Sequence, residues 1–168
     1  MTIKELNNLS KHDTESQFAL CCGAKDWVEQ MVDARPYKNM NDIIEVAEKI
    51  WLSMTRESWL EAFDHHPKIG DLDSLREKFQ NTASLPISEQ QGLSGVSESM
   101  LKQLAEGNRL YEDRFGYIFI VCASGKTAEE MLALLNARLG NDPEKELIIA
   151  AEEQNKITRL RIEKLIEP

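Results

Sequence analysis

Along most of the chain apolar residues return every three or four positions, the spacing that gathers side chains onto one face of an α-helix. Residues 42–53 show it most clearly: Ile43, Ile44, Ala47, Ile50 and Trp51 fall in register, with Asn41 in place to cap them. A short lead-in over residues 1–9 precedes a helix capped by Asp13, running through Phe18, Leu20 and Cys21 and closed by Gly23. Residues 24–34 set Trp27, Val28 and Met31 along one side before Arg35-Pro36 stops the helix. Thr55 opens the next, with Trp59, Leu60 and Phe63 as its apolar face, and it ends on His65 and His66.

Periodicity weakens over residues 67–84, where Leu72, Leu75 and Phe79 suit at most a short helix in a partly exposed connection. Pro86 fits the first turn of a helix and not its interior, so one is expected to begin there, interrupted around residues 92–95. A long helix over residues 97–115 follows, with Met100, Leu101, Leu104, Asn108 and Tyr111 roughly in register. Thr127 and Glu130 form a capping box for residues 127–139, closed by Gly140-Asn141. Asp142 as cap and Pro143 at the first position then start the longest helix, through Leu147, Ile148, Ala151, Ile157, Leu160, Ile162 and Leu165.

One segment breaks the helical pattern. Residues 117–123, Tyr-Ile-Phe-Ile-Val-Cys-Ala, have the β-branched and aromatic content of a buried strand. No other segment offers that strand a partner, and a lone strand leaves its backbone groups unpaired. The segment is therefore read as an extended or helical piece of core. The expected architecture is all-α: a single-domain compact bundle of about seven or eight helices over residues 1–168.

Charge and cysteine content narrow the function. Twenty basic against 29 acidic residues give a net charge of −9 with no dense basic block, which disfavours nucleic acid as a partner. Cys21, Cys22 and Cys122 are too few for a disulfide framework and wrongly spaced for a zinc site, and their apolar neighbours suggest buried thiols in a reducing compartment. Residues 1–10 lack the apolar core of a signal peptide, and no apolar run reaches membrane-spanning length. A cytoplasmic protein with no membrane partner is expected.

The candidate chemistry centres on Phe63-Asp64-His65-His66-Pro67-Lys68-Ile69-Gly70-Asp71, which holds two of the three histidines. Histidine titrates near neutrality, and Pro67 stiffens the exit from the helix that carries it. Alone, the stretch reads best as an ordinary helix terminus with a histidine on the last carbonyls. Adjacent histidines cannot both face one metal from a helix, and no His-x3-His pair exists, so no metal site is expected. Gly125-Lys126-Thr127 spells the end of a P-loop, but the first glycine of that motif would fall on Ile120. There remains an acid–base site pairing one histidine with charged groups from elsewhere. Glu89, Arg159 and Arg161 are the candidates, the two arginines with a solvated face as their ordinary reading.

Four blocks in series decide further. The histidine stretch, Glu89-Gln90-Gln91-Gly92-Leu93, residues 114–123 and Lys156-Ile157-Thr158-Arg159-Leu160-Arg161-Ile162 together resemble the 2-oxo-4-hydroxy-4-carboxy-5-ureidoimidazoline (OHCU) decarboxylase family, across nearly the whole chain. The resemblance implies an all-helical, homodimeric enzyme of urate degradation that uses no cofactor and acts on a small ureidoimidazoline to give (S)-allantoin. By position it makes His66, Glu89 and Arg161 the catalytic set. It adds Pro67, Gln90 and the segment Ile120, Val121, Cys122, Ala123 and Ser124 as substrate-binding. One departure stands out: the family often has a serine three residues before the Glu, and here that position is Pro86, with Ser84 and Ser88 nearby. Two other readings accompany this one: a non-catalytic helical interaction module on the same fold, and a cofactor-free enzyme of a related ureide.

Overall fold

A computed structural model describes residues 1–66 and 97–166. Among these residues there are eight α-helices and no strand: α1 (Ile3–Asn8), α2 (Lys11–Cys21), α3 (Lys25–Asp33), α4 (Met40–Leu52), α5 (Arg56–Asp64), α6 (Glu98–Phe115), α7 (Ala128–Leu139) and α8 (Pro143–Leu165). The all-α expectation holds. The helix expected near Pro86 lies outside the described residues. The chain divides into two compact units.

The first unit contains α1 to α5, Ile120–Cys122 and residues 150–166. Helices α1, α2, α4 and α5 are each started by a short polar side chain, two of them not the expected ones, while α3 starts at Ala24 with no side-chain cap. Ser10, not Asp13, caps α2: its Oγ accepts from the Asp13 amide at 3.1 Å and donates to the Asp13 carboxylate at 2.7 Å. Asn39, not Asn41, caps α4, its Oδ1 accepting from the Asp42 amide at 3.0 Å. In both cases the residue three positions ahead of an Asp takes the role, because a cap must reach the amide of the third helical residue. Thr55 caps α5 as expected.

Helix α3 packs between α2 and α4 and against α5, and Phe18, Trp27, Met31, Ile43 and Trp51 are fully enclosed. Burying each large side chain contributes about 1.5–3 kcal/mol. An indole N–H left without a partner would cost a comparable ~1–3 kcal/mol, so its hydrogen bonds decide whether a tryptophan is a net gain. They are made: Trp27 Nε1 donates to the Ala47 carbonyl at 3.2 Å and Trp51 Nε1 to the Ala151 carbonyl at 2.8 Å. The second bond ties α4 to α8.

The second unit contains α6, α7, residues 117–119 and 123–127, and the start of α8. Ser97 caps α6, and Gly116 ends it in the left-handed conformation (φ +80°) that glycine adopts without strain. The expected Thr127–Glu130 capping box is present. Asp142 caps α8 as expected, its Oδ1 accepting from the Glu144 amide at 3.0 Å. Helices α6 and α7 meet at Gly107, where a Cβ would stand 2.6 Å from Leu135 Cδ2. A side chain there would have to push the Leu135 methyl aside. Residues 117–123 form neither helix nor strand, so the expected piece of core is an irregular segment, with Tyr117, Ile120 and Cys122 buried.

Candidate active site

Helix α5 carries His65 and His66 at its C-terminal end and is fixed at two points to the start of α3. Glu61 accepts from the Lys25 amide at 3.1 Å, placing a carboxylate at the positive end of that helix dipole. Ser58 donates to the Asp26 carboxylate at 3.2 Å. The histidines then divide their labour. His65 is the C-cap of α5, and its Nδ1–H donates to the Glu61 carbonyl at 2.8 Å, the ordinary duty of a histidine at a helix end. His66, one residue on and half-buried, instead hydrogen-bonds the Gln154 amide on α8 through Nε2.

His65 has a close neighbour that fixes this arrangement. It packs so tightly on Gly23 that a Cβ there would lie 2.2 Å from its Cγ and 2.4 Å from its Cβ. The atoms at fault sit next to the α5 backbone, so rotating a side chain cannot relieve the overlap. Gly23, expected to close α2, therefore serves as the seat for α5; Cys22 ends α2. Gly23→Ala is expected to cost about 1–3 kcal/mol and to displace the histidine pair. Thermal denaturation together with turnover checks this; unchanged values in both would contradict it.

The arginines separate as clearly. Arg159 lies on an exposed face and pairs with Glu163 at 3.0 Å. Arg161 is half-buried, and its Nη1 donates to the Cys21 carbonyl at 3.2 Å, at the negative end of α2. Among the described residues no carboxylate forms an ion pair with it. A half-buried guanidinium anchored by one N–H keeps other donors for an anion or a polar oxygen.

Burial is the main influence on His66 and drives its pKa below the usual 6.5. The hydrogen bond to Gln154 opposes the shift, while the positive charge of Arg161 and the neighbouring His65 add to it. His66 is therefore neutral at neutral pH. The sign follows: between the lowered value and ~6.5 the unfolded chain binds the proton and the folded one does not, so this contribution to stability is lost as pH falls through that window. An activity that needs neutral His66 should show an acid limb in kcat/KM with its midpoint below 6.5. A midpoint at or above 6.5 would contradict this environment.

Two nearby thiols are ruled out as nucleophiles. Burial pushes Cys21 up to about 12 and Cys22 up to about 11, leaving almost no thiolate at neutral pH. Among the described residues no group of three or more His, Cys, Asp or Glu side chains is arranged to hold a metal.

Of the residues expected in the site, His66, Arg161, Ile120, Val121 and Cys122 fall in the first unit. The Cys122 amide donates to Glu153 Oε2 at 2.7 Å, so this segment and His66 are held by consecutive residues of α8, Glu153 and Gln154. Ala123 and Ser124 fall in the second unit, where the Ala123 carbonyl accepts from the Lys126 amide at 3.1 Å across a turn with Gly125 at φ +73°. Pro67, Glu89 and Gln90 lie outside the described residues. Gln154 has no place among the residues expected in the site, and Thr158 enters only as part of a matching block. Their signal was there: both sit in the buried register Leu147, Ala151, Gln154, Thr158, Ile162, where apolar side chains are the rule.

With this geometry in place, comparison with known proteins gives consistent matches. A family model described as OHCU decarboxylase matches residues 7–163. The uric acid degradation bifunctional protein TTL of Arabidopsis thaliana is 43% identical over 155 residues, covering 90% of this chain and 47% of that protein. The chain thus spans about half the length of this relative. The 2-oxo-4-hydroxy-4-carboxy-5-ureidoimidazoline decarboxylase of Amia calva is 27% identical over 168 residues, covering 99% of this chain and 95% of the relative. A crystal structure described as OHCU decarboxylase in the presence of (S)-allantoin aligns with a TM-score of 0.72 and 40% identity, over 89% of this chain and 96% of the other.

Proposed function

Because the chain belongs to the OHCU decarboxylase family, we propose that it decarboxylates OHCU to (S)-allantoin as a step of urate degradation, without a cofactor. The observation that carries this reading is the pairing of a neutral, half-buried His66 with an Arg161 whose anchor is a single carbonyl.

The substrate explains why so few groups are needed. Its carboxylate sits on a carbon next to a C=N bond. When the bond to the carboxylate breaks, CO2 leaves and the electron pair moves into the ring toward that nitrogen, which takes up a proton. The hydroxyl on the same carbon then gives up its proton as it becomes a carbonyl, and the neighbouring carbon is protonated on one face. The substrate is its own electron sink. The protein has to hold the carboxylate out of the ring plane, pass protons and choose a face.

In this reading His66 hydrogen-bonds the hydroxyl and serves as general acid and base, a task suited to a histidine neutral at working pH. Arg161 grips substrate oxygens and stabilises negative charge as it develops. Glu89 and Gln90 orient the ureido N–H groups, and Glu89 helps to set the charge on the histidine. Pro67 and residues 120–124 complete the walls, with backbone groups of the segment meeting the substrate. The whole chain acts as one decarboxylase domain in the cytoplasm, and as a homodimer, the last of these resting on the family resemblance.

The test is turnover against a panel of related ureides and imidazolines, with substrate loss followed by absorbance against the spontaneous decay. The reading expects acceleration confined to OHCU. A preference for another member of the panel would replace it.

A further inference from the structure

We propose that Gln154 is a positioning residue that fixes His66 as its Nε2–H tautomer, leaving Nδ1 as the nitrogen that exchanges protons with substrate. The proposal rests on the reading of His66 as the general acid and base.

The argument starts from a polar residue where none is expected. Gln154 is fully enclosed, on the face of α8 that also buries Ala150, Ala151 and Ile162. A primary amide there is strongly unfavourable unless its hydrogen bonds are met. Both ends are met, each by a specific group. The amide Nε2 donates to Thr158 Oγ1 at 3.1 Å, one turn along the same helix. The amide Oε1 faces His66 Nε2.

An amide has a donating end and an accepting end that cannot trade roles without turning over. The Thr158 hydroxyl gives its own hydrogen to the Cys22 sulfur and accepts from the Gln154 NH2, so Gln154 presents its oxygen, an acceptor, to the imidazole. The ring nitrogen opposite must then carry the hydrogen, and the lone pair is left on Nδ1. Thr158 is itself buried and borders the Cys22 thiol, so the amide and hydroxyl behind the ring are shielded from water that could scramble them. An aliphatic side chain at position 154 would fill the core more cheaply but would leave the ring free to exchange tautomers. A residue that orients a catalytic histidine from behind acts through kcat, because the wrong tautomer still binds substrate but cannot move the proton.

The experiment is long-range 1H–15N correlation spectroscopy of the imidazole nitrogens in the full-length protein, above the titration of His66. Its signals are identified by their loss in His66→Asn. The expected spectrum has a pyrrole-type Nε2 and a pyridine-type Nδ1. Gln154→Leu should average the two nitrogens and lower kcat roughly 10- to 100-fold with KM little changed. Gln154→Glu, which keeps an acceptor facing the ring, should retain the Nε2–H pattern. If Gln154→Leu does not fold, Thr158→Val frees the amide to turn over and should mix the tautomers in the same way.

A wild-type spectrum with the proton on Nδ1 overturns the proposal. So does a Gln154→Leu variant that keeps both the Nε2–H pattern and full kcat. The tautomer is read without turnover, which keeps the two ideas apart. An inactive protein with the Nε2–H pattern would remove the decarboxylase reading and leave the tautomer assignment standing. An active one with the proton on Nδ1 would do the reverse.

Discussion

Replacing His66 with asparagine is expected to lower kcat/KM for OHCU decarboxylation by roughly 10²- to 10⁴-fold, the range that a positioned general acid–base supplies. Asparagine is the informative choice. Its amide ends where Nδ1 stood, short of Gln154 Oε1, and a water in the space the ring vacates can meet that oxygen, so the fold should survive. What it lacks is a group that takes up and releases a proton near neutrality. The loss should fall on kcat, with thermal stability close to that of the parent protein. Activity within a few-fold of wild type, in a protein with unchanged unfolding, would remove His66 from the chemistry.

The second large effect is on stability and lies away from the proposed site. Glu146 is completely buried in the second unit and accepts three hydrogen bonds, from Tyr111 at 2.5 Å, Arg138 Nε at 2.7 Å and Asn141 Nδ2 at 2.8 Å, with Arg138 Nη2 2.6 Å away in the same ion pair. The Arg138 guanidinium also stacks 4.6 Å from the centre of the Phe119 ring. Glu146→Leu would take away the carboxylate that this enclosed guanidinium meets, and the expected loss is about 3–5 kcal/mol. For a chain of this length that is a drop of roughly 10 °C in Tm. Pairing it with Arg138→Met removes the charged partner as well and should return much of the loss, since an ion pair replaced whole by apolar groups is often near neutral. A single variant as stable as the parent would mean the cluster is not a unit. A double variant no better than the single would place the cost elsewhere.

How far the sequence reveals this molecule depends on the range of the forces involved. Starts set by contacts within three or four residues are legible: Thr55, Ser97, the Thr127–Glu130 box and Asp142-Pro143 all begin helices where expected. Near residue 40 the chain offers Asn39 and Asn41. Asn39 is the cap, and the reciprocal bonds around Asp42, from whose amide it accepts and whose carboxylate accepts from the Lys38 amide at 2.8 Å, show that the choice is still a local one. Helical register in α8 identifies Leu147, Ala151 and Ile162 as core but also suggests Ile148, which is 53% exposed, while neighbouring Glu146 is fully buried. An apolar pattern cannot reveal that a carboxylate will be enclosed, because its partners Tyr111, Arg138 and Asn141 come from other parts of the chain.

The candidate site divides along the same line. That one of two adjacent histidines would cap its helix is a local matter, and His65 does so. That the other would meet Gln154 is set by a contact 88 residues away. Gly23 teaches the same lesson: read as a helix stop, it is required as bare backbone beneath His65. Motif resemblance brought His66 and Arg161 forward because it records long-range contacts that periodicity cannot. It is silent on Gln154, which lies just ahead of the block that carries Arg161.

The most direct test of the account is the chirality of the product. Allantoin is generated from urate with urate oxidase and hydroxyisourate hydrolase, and its circular dichroism is followed with and without this protein. OHCU decays unaided to a racemate, so total allantoin says little, whereas handedness reports protonation on a single face. A rapid signal of the (S) enantiomer only when the protein is present is the predicted result. A slow, racemic product in both samples would contradict it and favour a helical module that binds without catalysing.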